Sequence, residues 1–179
     1  VQITAGTSEI VICTQAGMSI RFPESDVRSM GRTAYGVRGI ALREGDVVVG
    51  METVKPGGTL LTVTEHGYGK RTEIGEYRVQ SRGGYGIINI DTSERNGRVV
   101  GVSCVQSGDE VLLVTQQGMM IRTRANEIRM TGRSAQGVRL INIEDTDRVV
   151  GLAKLDEKDT PENGDASVIP TDEAQGGAR

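Results

Sequence analysis

The sequence predicts an all-β, propeller-like repeat protein, and three observations carry that prediction. A unit of about fifty residues occurs three times: Gly17, Gly67 and Gly118 are 50 and 51 residues apart, and Gly36, Gly86 and Gly137 keep that spacing. Each unit holds four short runs rich in Val, Ile, Leu and Thr, and none has the sustained period of a long helix. Glycine supplies 25 of 179 residues, about twice the average share of about 7%, as many tight turns require. Four strands per unit at this period describe propeller-like blades.

The first copy places strands at about 9–15, 18–22, 36–42 and 47–54. The second places them at about 59–65, 68–73, 86–91 and 98–106, and the third at about 110–116, 119–124, 137–143 and 148–155. Thr14-Gln-Ala-Gly17, Thr64-Glu-His-Gly67 and Thr115-Gln-Gln-Gly118 close each first strand with hairpin chemistry. A longer connection follows each second strand, with room for one short turn around Glu24–Arg28 and its equivalents. Val-Val-Gly ends at Gly50, Gly101 and Gly151 mark the last strands. The blades are expected at about 5–55, 56–106 and 107–155. Residues 156–179 are rich in Pro, Gly, Asp and Glu and are expected to form a disordered acidic tail.

Composition excludes several classes. No stretch approaches 18 apolar residues, so no membrane-spanning helix is expected. No secretory signal is visible. Val1-Gln-Ile-Thr4 reads as the end of a strand whose own repeat is missing, so the chain is expected to be a C-terminal piece of something longer. Cys13 and Cys104 fall in different slots of the repeat, the first apolar and the second more exposed, so a disulfide is not expected and a reducing compartment is favoured. His66 sits in a turn where the other copies have Ala16 and Gln117, and no Cys/His set has metal-ligand spacing. Met18, Met51 and Met119 read as core positions, and Tyr35 and Tyr85 as packing or edge residues.

The net charge of −3 hides an asymmetry. Residues 156–179 carry seven acids and two bases, whereas residues 1–155 carry 17 acids and 19 bases. Within the body, bases recur at matched positions: Arg21, Arg71 and Arg122; Arg28, Arg78 and Arg129; Arg32, Arg82 and Arg133. Lys70 and Arg124 lie beside them, as do Arg38 and Arg139. Repeat symmetry would line these positions along one edge. Such an edge suits a polyanion, most simply the DNA backbone, because the planar guanidinium fork pairs bidentately with phosphate. The alternative is local pairing with Glu24, Asp26, Glu73, Glu76 and Glu127. Gln80-Ser-Arg-Gly-Gly-Tyr-Gly86 is the most distinctive local string, readable as an anion-facing backbone or as a turn.

Several strings, in order, closely resemble the C-terminal portion of the bacterial DNA gyrase A-subunit family. They are Glu24-Ser-Asp-Val-Arg-Ser-Met-Gly31 with Gly36-Val-Arg-Gly-Ile40, Gly67-Tyr-Gly-Lys-Arg-Thr72, Thr92-Ser-Glu-Arg-Asn-Gly97 with Val99-Val-Gly101, and Ile121-Arg-Thr-Arg124 with Gly137-Val138. The resemblance implies the last three blades of a six-bladed β-pinwheel, a propeller-like disc that exchanges strands between blades and wraps double-stranded DNA around a basic edge. It implies membership of a cytoplasmic, nucleoid-associated, ATP-dependent type IIA topoisomerase that introduces negative supercoils. Gyrase's B subunit together with a second A subunit would be partners through regions outside this chain. ATP and Mg²⁺ would be bound elsewhere in that complex, so no cofactor and no metal is expected here. By position, Arg21, Arg28, Arg32, Lys70, Arg71, Arg78, Arg82, Arg122, Arg124, Arg129 and Arg133 become the candidates for phosphate contact. Two or three such contacts per blade would release about 6–8 counterions.

Two departures qualify the resemblance. Gln80–Gly86 resembles the family's Gln-Arg-Arg-Gly-Gly-Lys-Gly box but lies in a later blade and lacks two of its bases, so it should not itself start wrapping. None of Tyr35, Tyr68, Tyr77 and Tyr85 matches the context of the family's cleavage tyrosine, so the chain alone should not cut DNA. The rivals are the C-terminal DNA-binding domain of topoisomerase IV, which has similar blades, and a protein-binding propeller of the kelch type. The latter would repeat its double glycine in every blade, yet Gly57-Gly58 and Gly83-Gly84 are not equivalent. A propeller hydrolase is a weaker rival, without a triad or metal set.

Overall fold

A computed structural model describes residues 1–155; the predicted disorder of 156–179 falls outside them. The first repeat supplies β1 (Glu9–Thr14), β2 (Met18–Pro23) and β3 (Val48–Thr53). The second supplies β4 (Thr59–Thr64), β5 (Tyr68–Glu73), β6 (Ile87–Ile88) and β7 (Val99–Val105). The third supplies β8 (Glu110–Thr115), β9 (Met120–Arg124), β10 (Val138–Arg139) and β11 (Val149–Leu155). Every second strand runs into one short 3₁₀ turn, at Glu24–Asp26, Ile74–Glu76 and Ala125–Glu127. The architecture is all-β, in antiparallel sheets ordered β3-β1-β2-β6, β10-β5-β4-β7 and β11-β8-β9.

This order shows the exchange of strands between blades that the resemblance implied. The third strand of a repeat leaves its own sheet and completes the sheet before it: β6 pairs with β2, and β10 with β5. The segment 36–42 forms no strand, since no preceding repeat is present among the described residues for it to complete. The exchanged strands are also shorter than predicted. Asn89 and Ile90 both donate their N–H groups to Gly17 O, and Leu140 and Ile141 do the same to Gly67 O, so the chain bends around the earlier hairpin and leaves the ladder.

The sheets converge on β3, β7 and β11, which touch across repeats and form the inner side. Glycine in the first two Val-Val-Gly ends permits the approach. A Cβ on Gly50 would lie 2.7 Å from Val102 Cγ2, and one on Gly101 2.9 Å from Leu152 Cβ. Two apolar cores lie between neighbouring repeats, and a smaller one of Ile20, Phe22 and Ile40 lies within the first. Val11, Leu60, Ile74, Ile90 and Val99 share one core, and Leu61, Val111, Leu113, Ile128 and Ile141 share the next. Each such side chain gains about 1.5–3 kcal/mol on burial, so stability is a nearest-neighbour property. Cys104 is buried, against the more exposed slot predicted, and it and Cys13 are both free thiols. Met51 and Met119 are exposed, not core.

At the exchange point Gly86 has a φ of 71° and Gly36, its equivalent, a φ of 86°. A Cβ at Gly86 would clash with Ser19 O on the earlier sheet, whereas one at Gly36 would meet nothing. Both Gly→Ala changes carry the left-handed backbone cost of about 1–2 kcal/mol, and only Gly86→Ala adds an overpacking cost of about 1–3 kcal/mol. Urea unfolding should therefore show Gly86→Ala destabilising by clearly more than Gly36→Ala, and equal losses would mean that β6 is not held against β2.

Candidate nucleic-acid interface

The exchange lays the long connection of one repeat along the outer side of the repeat before it. Val79 bridges in parallel to Arg21, and Met130 to Arg71, before the chain turns back into β6 and β10. The outer rim is thus built from residues 78–88 and 129–139, where the predicted basic positions cluster. The matched arginines do not share one role there.

The first set points inward. Arg21 Nη1 donates to Ile74 O and Tyr77 O at 2.7 and 3.0 Å, and its Nε donates to Glu9 Oε2 at 2.9 Å. Arg71 repeats this one blade on, with Nε donating to Ile128 O at 2.9 Å. These carbonyls flank the 3₁₀ turn of the following repeat, so each guanidinium ties that turn to the preceding blade. Lys70 is 0% exposed, and its Nζ donates to Gly132 O at 2.7 Å and to Arg133 O. Burial pushes its ammonium down to about 8, with Glu76 opposing and Arg133 adding to the shift. Arg21, Lys70 and Arg71 thus direct most of their donors to protein acceptors at the junctions.

The second set reaches back. Arg82 Nε donates to Asp26 O at 2.8 Å and Nη1 to Arg38 O at 3.1 Å. Arg133 Nη1 donates to Ile88 O, and its backbone N–H to Glu76 Oε2 at 2.7 Å. Both are half-buried, with part of the guanidinium committed. The glycine string belongs to the same fastening: Gly83 N donates to Gly39 O, and Ala41 N to Gly84 O. The turn reading thus holds for Gln80–Gly86, whose Gly83 N–H is spent within the protein.

The third set faces out. The side chains of Arg28, Arg32, Arg78 and Arg129 are exposed and make no hydrogen bond or ion pair with the described residues. Arg124 is exposed, its Nε 3.6 Å from Glu110 Oε1. Arg122 is exposed but paired with Glu110, whose carboxyl it holds below the usual range. Tyr35 and Tyr85 are exposed beside these positions. Sequence reasoning passed over Tyr68, with Arg95 and Arg139 over its ring. The signal available was its departure from Met18 and Met119 at the same place in the repeat. Among the described residues no helix is long and apolar enough to cross a membrane, and no group of three His, Cys, Asp or Glu is placed to hold a metal ion.

Comparison with known proteins follows the repeat boundaries. The family described as "DNA gyrase C-terminal domain, beta-propeller" matches residues 8–55, 58–106 and 109–156. The A subunit of DNA gyrase from Salmonella typhimurium is 45% identical over 166 residues, 93% of this chain and 19% of that protein. The chain thus spans about a fifth of the length of the curated relatives it matches. A solved DNA gyrase A C-terminal domain superposes with a TM-score of 0.78 at 30% identity, over 84% of this chain and 52% of that one. The C-terminal domain of DNA topoisomerase IV superposes with a TM-score of 0.82 at 24% identity, over 88% of this chain and 49% of that one, a likeness of fold alone.

Replacing Arg28, Arg78 and Arg129 together by Gln should weaken duplex DNA binding at least tenfold at moderate salt. Replacing Arg43, Lys55 and Arg98, which lie off the rim, should weaken it by much less. Both sets remove three charges, so equal losses in a gel-shift titration would reject the rim.

The buried lysine makes a separate, pH-dependent expectation. Its folded pKa of about 8 lies below the unfolded value of about 10.4. Below pH 8 it is protonated in both states. Between the two values only the unfolded chain holds the proton, so its contribution to stability rises with pH across that window. The buried thiols of Cys13 and Cys104, held above their usual range, pull the other way. The informative quantity is the stability difference between wild type and Lys70→Met, which should move in favour of wild type from pH 8 to pH 10. A flat difference would mean that Lys70 titrates as an exposed lysine does.

Proposed function

Since the chain belongs to the DNA gyrase C-terminal domain family, we propose that it is part of the surface around which DNA gyrase wraps duplex DNA. One observation carries the reading. Arg28, Arg78 and Arg129, one per repeat at the same position, present exposed guanidinium groups that no acceptor among the described residues uses. The blades hold these groups at successive stations along the outer side. Such an array neutralises phosphates in register with a bent duplex and reads no base, so binding is insensitive to sequence. Arg32 and Arg124 extend it, and Arg82 and Arg133 offer the part of each guanidinium that faces solvent.

In the parent enzyme, wrapping would present a second DNA segment to the cleavage gate with one handedness, so that ATP-driven strand passage introduces negative supercoils. Cleavage, ATP hydrolysis and assembly with gyrase's B subunit, together with a second A subunit, would lie in regions beyond this chain, in the cytoplasm. The role of these residues is electrostatic and geometric. They bind the backbone and hold its curvature, and no bond-breaking step is assigned to them.

The side-chain geometry narrows the salt dependence. With Arg21, Lys70 and Arg71 committed inward and Arg122 paired, about five or six phosphates are neutralised in place of the 6–8 read from the sequence, for a slope of log K against log salt of about −5. A gel-shift series from 50 to 200 mM salt, with two unrelated duplexes of equal length, measures it. A flat dependence, or a strong preference for one duplex, would overturn the reading.

A further inference from the structure

The junction between the second and third repeats departs from the repeat. At the first junction the exchanged strand sets Met18 opposite Ile88; at the second it sets Tyr68 opposite Arg139. Arg139 Nη2 donates to Tyr68 Oη at 2.6 Å, and its guanidinium carbon lies 5.1 Å from the ring centroid. Arg95 comes over the same ring at 4.3 Å. Two guanidinium groups are therefore gathered on one aromatic ring, within cation–π range.

They are held in place by neutral partners. Arg139 Nη1 donates to Asn142 Oδ1 at 3.1 Å, and Arg95 Nη1 to Gln136 Oε1 at 2.9 Å. His66 Nδ1 donates to Glu94 O at 3.0 Å and so fixes the loop that carries Arg95. Arg148 stands in the same cleft, its Nη1 donating to the backbone carbonyls of Asp145 and Asp147. None of the three arginines forms an ion pair with a described carboxylate, although Glu94, Glu144 and Asp145 also line the cleft. The cleft has a volume of about 340 Å³. Hydrogen bonds from the two arginines, Arg139 first and Arg95 next, hold the Tyr68 hydroxyl below its usual pKa.

We propose that this cleft is a seat for a single phosphate group, bound by Arg95, Arg139 and Arg148 around the Tyr68 ring. No described carboxylate pairs with these guanidinium groups, and a tetrahedral oxyanion would take up their solvent-facing donors through charge-assisted hydrogen bonds. The carboxylates along the wall restrict the site to one anionic group and disfavour an extended polyanion lying through it. The phosphate belongs either to a DNA backbone passing off the rim or to a small phosphate-bearing molecule. Both present the same chemistry, and the site stands independently of the rim arginines.

The test titrates the 179-residue chain with inorganic phosphate while NMR follows the arginine Nε–Hε signals. Saturable shifts at Arg95 and Arg139 are expected, with weaker effects at Arg43 and Arg98 in the corresponding cleft of the first junction. Arg95→Gln with Arg139→Gln should weaken phosphate binding about tenfold or more. Tyr68→Phe keeps the ring and should weaken it less, which guards against a folding failure in the double variant. A parallel titration with a 20-base-pair duplex separates the sources. Shifts of the same signals by the duplex identify the DNA backbone, and shifts by phosphate alone identify a small ligand. Shifts that grow without saturating, or that are equal at both clefts, overturn the site even where the chain binds DNA through its rim.

Discussion

Every sheet that has four strands is completed by hydrogen bonds from the repeat that follows it. β6 closes the first sheet and β10 the second, and the guanidinium groups of Arg21 and Arg71 pin the 3₁₀ turn of the next repeat through its carbonyls. The two larger apolar cores obey the same rule, because each is shared between neighbours. No repeat is therefore a unit of stability by itself; the unit is the junction. This explains why each junction uses glycine for close approach at three places: the inner strands, the hairpin and the exchanged strand.

The same constraint divides the arginines. A matched column of arginines in a repeat protein has one sequence signature and two physical uses. Arginine at a junction satisfies several backbone carbonyls at once with a rigid five-donor fork, which is a structural use of its geometry. Arginine one turn later, at Arg28, Arg78 and Arg129, is exposed and has no side-chain partner among the described residues. The first column ties the disc together and the second faces outward from it. Exposure and partner atoms separate the two.

The period of about fifty residues, the hairpin glycines and the strand-rich runs made the blades legible in the sequence, because they are local signals. The exchange of the third strand was legible only through family resemblance. Gly86-Ile87-Ile88 has the pattern of a strand whichever sheet it joins, and nothing local says that Ile87 will face Ser19 rather than its own repeat. The candidate site was half legible for the same reason. Arg28, Arg78 and Arg129 were found as a column, whereas the burial of Lys70 depends on Gly132 and Arg133, more than sixty residues away. A residue-by-residue comparison of the copies carries more than it first suggests. Lys70 stands where Ile20 and Ile121 stand, a buried slot, and Tyr68 stands where Met18 and Met119 stand.

The forward direction of the exchange also sets an order in time. During synthesis β1 and β2 leave the ribosome as a hairpin whose outer edge stays unpaired until Ile87 and Ile88 arrive. At about 5–20 residues per second, the stretch from Pro23 to Ile88 takes roughly 3–13 s to be made. For that interval the nascent hairpin exposes a row of unsatisfied backbone groups, the kind of edge on which chains pair wrongly with one another. Each blade thus matures one repeat behind the ribosome, and the growing end of the array is always its least finished part.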